Sequence, residues 1–239
     1  MTQWQKMLEQ IKKEFKNNPN GFLQEKMIAR TTHPKNEKLA KKYYDLLKNT
    51  NTFAKYKWKE PPFANPAIAV DNMSLSTIQS LYHIDNISAF IDILDCDHIV
   101  EIGGGYGNLC SLVKNAGYTK EWTIIDFPEM HTIQRKYIEA VSSTDKVNFL
   151  QLKELSGIKA DLFIATFSMN EMPLSDRKFI EDNVNNFQHF YIQHNARFDG
   201  INNIDYFKKF MLDNSENYDI IRRDCKIYPN HPIILANKK

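Results

Sequence analysis

The chain has 239 residues, 42% apolar and 25% charged. That is enough for one sizeable α/β domain with an accessory segment, and too short for two ordinary enzymatic domains. No apolar run approaches the ~20 residues needed to span a bilayer, and the opening MTQWQKMLEQIKKEF lacks the apolar stretch of a secretory signal. The net charge of +2 hides an asymmetry: 14 Lys+Arg against 6 Asp+Glu in residues 1–60, then 17 against 23. The acidic balance of the body argues against a nucleic-acid interface. The basic segment reads either as an attractor of an anionic substrate or as a solvated, Lys-rich helix surface. Cys96, Cys110 and Cys225 have no metal-type spacing, and read as reduced structural thiols of a cytoplasmic protein.

In chain order, WQKMLEQIKKEF has the apolar spacing of a helix, and NPNG at 18–21 breaks it. NEKLAKKYYDLLKN (36–49) predicts a second helix, and the proline-rich KEPPFANPA (59–67) a boundary. The expected division is therefore a helical segment at 1–69 and a main domain at 70–239. The helical segment would carry exposed apolar faces around Trp4 and Leu8. With them it would roof its own site or pair with a second copy.

A helix over 75–94 leads into alternating strands and helices. HIVEIG is the first strand, followed by a helix closed by Gly117. EWTIID (121–126) precedes a helix opening on Pro128. VNFLQL and DLFIATF (161–167) follow, then a helix capped by Ser175 and the strand HFYIQHN. A last helix over IDYFKKFMLD leads to YDIIRRDCKIYP and HPIILANK, two strands with no helix between them. The alternation predicts a parallel sheet, and the ending predicts an antiparallel hairpin at one edge.

The motif that carries chemistry is HIVEIGGGYGNLC, residues 98–110. A glycine loop between a strand and a helix lets a ligand approach the backbone closely. A phosphate-cradling loop would need a Lys-Ser/Thr pair, which is missing, and the dinucleotide fingerprint fails at Asn108. What stands here is GxGxG at Gly103, Gly105 and Gly107, with Glu101 two residues earlier. A carboxylate there would repel a pyrophosphate but suits a ligand carrying an ammonium and a sulfonium, which points to S-adenosylmethionine. Asp126, ending the next strand, is placed to accept both ribose hydroxyls.

On these motifs, residues 98–237 resemble the class I S-adenosylmethionine-dependent methyltransferases: Rossmann-like α/β proteins whose seven-stranded, mostly parallel sheet ends in an antiparallel hairpin. IVEIGGGYGNL with TIIDFPEM is most similar to the sugar O-methyltransferase family of bacterial surface-polysaccharide clusters, and IDFPE resembles a motif of plant phenolic O-methyltransferases. The resemblance implies Gly103, Gly104 and Gly105 along the methionine part and Asp126 on the ribose. It also implies Phe127 and Leu152 flanking the adenine, and Thr166 and Phe167 near the sulfonium.

The phenolic enzymes carry a His followed by an Asp after the fourth strand, where this chain has Asn170 and Glu171. Their catalytic His is missing. The candidate general bases are Glu171 by position and His194 at the end of the fifth strand. Glu171 and Asp176 alone do not make a metal site, so none is expected. The expected activity is methyl transfer to an oxygen of a sugar or a nucleotide- or phosphate-linked sugar, in capsule or surface-glycan assembly. The alternatives are another small-molecule or phosphoryl-linked acceptor, or a cofactor-binding protein that has lost catalysis. Neither nucleic acid nor membrane insertion is expected.

Overall fold

A computed structural model describes residues 3–239. The chain runs α1 (Gln3–Asn17), a 3₁₀ turn (Phe22–Gln24), α2 (Lys26–Thr32), α3 (Glu37–Leu47) and α4 (Asn51–Tyr56). Next come β1 (Ile68–Val70), β2 (Met73–Ser74), α5 (Leu75–Ser88), β3 (His98–Ile102), α6 (Asn108–Asn115), β4 (Glu121–Ile125) and α7 (Pro128–Val141). The remainder is β5 (Val147–Leu150), β6 (Ala160–Thr166), α8 (Leu174–Asn183), β7 (Phe187–Gln193), β8 (Arg197–Phe198), β9 (Ile201–Asn202), α9 (Asn203–Asn214), β10 (Tyr218–Arg223) and β11 (Ile233–Lys238). Among the described residues no helix is long and apolar enough to cross a membrane.

By backbone packing the chain forms two compact units: a helical unit of Met1–Asp95, Gly104–Thr119 and Phe127–Asp145, and a sheet unit of Cys96–Gly103, Lys120–Asp126 and Lys146–Lys239.

The sheet unit holds seven strands in the order β10-β11-β7-β6-β3-β4-β5. The pairs among β7, β6, β3, β4 and β5 are parallel, while β11 runs antiparallel to both β7 and β10. This is the parallel sheet and edge hairpin that the alternation predicts. Successive side chains of a strand face opposite ways, and the register aligns Val100, Phe163, Phe190 and Ala236 in one row. The row Ile102, Ala165, Ile192 and Ile234 lies beside it. Both rows belong to one buried cluster with Ile180 of α8 and Phe207 and Phe210 of α9. Glu101, one residue out of phase, is on the opposite face.

In the helical unit, α1 is amphipathic and puts Leu8 and Ile11 into a core with Phe22, Leu23, Tyr106 and Tyr137. Trp4 packs against the same cluster, so the exposed apolar face expected around Trp4 and Leu8 is absent. Burial of that face drives α1 onto the unit, as the apolar stripe of a surface helix requires. Ala64, within the proline-rich stretch, is fully buried in the same core.

Two further expectations are corrected. α5 ends at Ser88, short of residue 94, because the Asp92 carboxylate accepts the Leu94 N–H and pairs with Lys55, building a turn instead. α8 starts at Leu174, where the Pro173 carbonyl accepts the N–H groups of Asp176 and Arg177. Ser175 is therefore inside the helix, and its hydroxyl bonds Asp176. The three cysteines are buried.

Candidate functional site

The carboxyl end of the parallel sheet gathers most of the candidate residues. Glu101 is the fourth residue of β3 and only 2% exposed. Its Oε2 accepts the Trp122 indole N–H from β4 at 3.0 Å. Burial raises its pKa to about 7; the Trp122 bond opposes that rise and the nearby Asp126 charge adds to it. Trp122, not anticipated from sequence, is thus the donor that satisfies this carboxyl. A buried acid on one strand requires such a partner on its neighbour.

Gly103 has φ +71°, and its N–H bonds the Ile125 carbonyl at 2.9 Å, tying the start of the loop to the end of β4. A Cβ added at Gly103 would overlap the Cβ of Ser168, whose hydroxyl bonds the Ile102 carbonyl. Glycine is required here for both its dihedral and its proximity to the chain after β6. Ser168 is the second residue that sequence reasoning missed. Asp126 directly follows β4 and is half-buried, with its N–H on the Leu150 carbonyl. Leu152 opens the 3₁₀ turn Leu152–Leu155 just past β5, partly buried.

Gly104, Gly105 and Phe127 lie in the helical unit. The Gly104 carbonyl accepts the Gly107 N–H at 2.8 Å, and the Gly105 carbonyl accepts the Gln134 amide at 3.0 Å, so α7 holds the loop. Gly107 caps α6 at φ +93°, where a Cβ would stand 2.8 Å from Ile138 of α7. Phe127 precedes Pro128 at the start of α7 and is 40% exposed.

Thr166, the last residue of β6, is half-buried and in register with Gln193 of β7. Phe167 follows at φ +62°, a left-handed backbone that an aromatic residue rarely adopts, with a strain of order 1–3 kcal/mol. It is held by the bond from its N–H to the Gln193 carbonyl, and its ring meets His231 edge-on at 5.3 Å. The chain then makes a 3₁₀ turn, Met169–Glu171. Here Asn170 is fully buried, and neither of its amide atoms has a hydrogen-bond partner. Glu171 is half-buried beside it in sequence.

The turn is fixed by Arg177, itself fully buried. Its Nε donates to the Met172 carbonyl at 2.9 Å, one amino group donates to the Asn170 carbonyl, and the other donates to Asn203 Oδ1 at 2.8 Å. Its guanidinium also lies over the Tyr206 ring at 4.7 Å.

His194, one past β7, is 2% exposed and stacked on Phe207 at 4.2 Å. Its Nδ1 is 3.0 Å from the Asn195 carbonyl. A carbonyl can only accept, so Nδ1 carries the proton and Nε2 keeps its lone pair. Burial lowers the pKa to about 4, so the ring is neutral at pH 7. Among the described residues no group of three or more His, Cys, Asp and Glu is arranged to hold a metal ion.

No protein-family model matches the chain, and no curated protein sequence matches it. Solved structures do. The chain is similar to the methyltransferase domain of bacterial CtHen1, with 12% identity over 65% of this chain and 97% of that one, at a TM-score of 0.51. It is also similar to the PH0226 protein of Pyrococcus horikoshii OT3, with 12% identity over 71% of this chain and 94% of that one, at a TM-score of 0.53. The shared property is the fold: a Rossmann-like, seven-stranded, mostly parallel sheet with a C-terminal antiparallel pair.

Proposed function

We propose that the chain is an S-adenosylmethionine-dependent O-methyltransferase whose acceptor is a sugar or sugar-linked group in surface-glycan assembly. The observation that carries the cofactor is the pair of strand ends β3 and β4. They combine a glycine that admits no side chain, a buried carboxyl behind it and a half-exposed carboxyl at the end of the next strand. The donor set fits the group. Gly103 leaves the backbone bare for a close approach, and Asp126 offers two acceptor oxygens to a ribose diol. Glu101 supplies negative charge beneath a ligand with ammonium and sulfonium centres. Gly104, Gly105, Phe127 and Leu152 complete the proposed binding residues, with Thr166 and Phe167 nearest the acceptor side.

When bound, the cofactor supplies an activated methyl group. This chain must hold the acceptor oxygen in line and take its proton as the bond forms. Glu171 and His194 are the proposed bases. His194 offers the neutral Nε2 lone pair across the whole physiological range, because its pKa is far below 7. Glu171 stands on the turn that Arg177 fixes. The CtHen1 methyltransferase domain has a similar fold. Fold likeness supports this reading, and the site residues carry it.

Calorimetric titration with S-adenosylmethionine, S-adenosylhomocysteine and NAD tests the cofactor. Micromolar binding of the first two is expected, weakened at least ~100-fold in Asp126→Ala. Binding of NAD alone, or of nothing, would overturn the proposal. The base is tested with a responsive acceptor: Glu171→Gln is expected to lower kcat at least ~100-fold with cofactor affinity unchanged. Unchanged kcat would pass the role to His194.

A further inference from the structure

A buried polar side chain with no internal partner costs free energy, and in a folded protein it calls for an explanation. At the carboxyl end of β6 and β7, three side chains leave buried polar atoms without one. Asn170 is 0% exposed with both amide atoms unpartnered. Gln193, the last residue of β7 and 1% exposed, leaves Oε1 unpartnered while its Nε2 donates to the His231 carbonyl at 3.3 Å. His231 leaves Nδ1 buried and unpartnered, with its ring against Phe167 and Tyr228.

The Asn170 turn is not loose. Its carbonyl is bonded by Arg177, whose other arm bonds Asn203, which in turn donates to Asn195 Oδ1 at 2.7 Å. Sequence neighbours on both sides, Met169 and Met172, pack on the sheet's core cluster. The backbone is over-determined while the amide is left unsatisfied. Such an arrangement suits a group waiting for a ligand.

The chemistry of that ligand follows from the charges. An amide presents one acceptor and one donor in a plane and cannot ionise near neutral pH. Burial lowers the pKa of His194 to about 4, so it is uncharged at pH 7, and burial lowers that of His231 as well. The buried cation, Arg177, directs three of its N–H groups to Met172, Asn170 and Asn203. An uncharged group avoids the desolvation penalty that an anion would carry into this buried site.

We propose that the Asn170 carboxamide hydrogen-bonds and orients the reacting end of the acceptor, with Gln193 and His231 as neighbouring polar contacts, and that this end is uncharged and hydroxyl-bearing. The inference rests on the methyltransferase reading and deepens it: a phosphate or carboxylate on the acceptor belongs away from the reacting hydroxyl. Asn170 is a binding and orienting group, not the base.

The experiment has two arms. In the first, thermal unfolding of Asn170→Leu is compared with wild type, cofactor absent. An unsatisfied amide replaced by an apolar group of the same branched outline is expected to leave Tm unchanged or raise it. A fall of several degrees would show that the amide has a structural partner and overturn the proposal.

In the second arm, transfer of labelled methyl is measured on three acceptor classes: neutral methyl glycosides, N-acetylhexosamine glycosides, and uronates with sugar phosphates. The expected result is turnover of one of the two neutral classes. Asn170→Leu and Asn170→Asp should lower its kcat/KM at least 100-fold, with S-adenosylhomocysteine affinity within threefold of wild type. Preference for the anionic class, kcat/KM within threefold in Asn170→Leu, or no turnover of any class by a cofactor-binding wild type would each overturn it. Failure of wild type to bind S-adenosylhomocysteine is a different result. It would sink the methyltransferase reading, and the unfolding arm would still decide the state of the amide.

Discussion

The two halves of the sheet's carboxyl edge are built in different ways. On the β3–β4 side the chain itself makes the features: a positive φ at Gly103, a strand that stops at Ile125, and an acid next in line. On the β6–β7 side the features are assembled from residues 167–171, 193–194 and 231, and are held by Arg177 and Asn203. The first half depends on local backbone, so one substitution should abolish it. The second is a tertiary assembly, so single changes at Asn170, Gln193 or His231 should alter the acceptor and spare the cofactor.

The largest effect is expected at Gly103. Alanine there combines a left-handed dihedral with an overlap on Ser168. A loss of about 3 kcal/mol in stability is expected from strain and overpacking together, along with loss of S-adenosylhomocysteine binding. Urea unfolding and calorimetry read the two. Adding Ser168→Gly should recover roughly half of the stability, because it relieves the overlap and leaves the dihedral. A Gly103→Ala protein as stable as wild type would show that the strand-end geometry is not what fixes this half.

Glu101 sharpens the comparison through pH. Its pKa, near 4.5 in the unfolded chain, is about 7 when folded, because burial disfavours the charged form. The sign is the reverse of a salt-bridged acid. The penalty is absent below pH 4.5, grows between 4.5 and 7, and is constant above. Glu101→Gln should therefore match wild type near pH 4 and be more stable by a few kcal/mol at pH 8. A cationic ligand favours the ionised form, so wild-type affinity for S-adenosylmethionine should rise from pH 5.5 to 7.5 and flatten above. In Glu101→Gln the affinity should be lower and nearly flat. A wild-type affinity that falls over this range would refute the placing of Glu101 beneath a cation.

The same contrast explains what the sequence shows. The seven strands of the main sheet, the closing Gly117, the Pro128 helix start and the terminal hairpin rest on neighbours within a few residues, and each was readable; β1, β2, β8 and β9 were not. Ser168 was not, because its importance comes from Gly103, 65 positions away. Nor was the pairing of Trp122 with Glu101, which needs the β3–β4 register. Asn170 could be read only as the place where a familiar His is missing. Its burial without a partner depends on the packing of the whole turn. The exposed face expected around Trp4 and Leu8 failed for the same reason: nothing local shows that Phe22 and Tyr137 cover it.

The helical unit offers the smallest and most direct version of the comparison, because two neighbouring helices are capped in the two ways. α3 is capped by its own Asn36, whose Oδ1 accepts the Leu39 N–H at 3.0 Å. α2 has no side-chain cap of its own. Instead Oε2 of Glu14, from α1, accepts the N–H groups of Met27 and Ile28 at 2.8 and 3.2 Å. Removing the local cap, Asn36→Ala, should cost about 1 kcal/mol. Glu14→Gln keeps the size but removes the charge at the start of α2, and should cost about 0.5 kcal/mol. Urea midpoints at pH 7 resolve the two. If Glu14→Gln is silent while Asn36→Ala is not, the carboxylate is a bystander and α2 is held by Ile28 in the core alone. If both destabilise, a borrowed cap replaces a local one in this unit, and no pattern within 26–32 could have disclosed it.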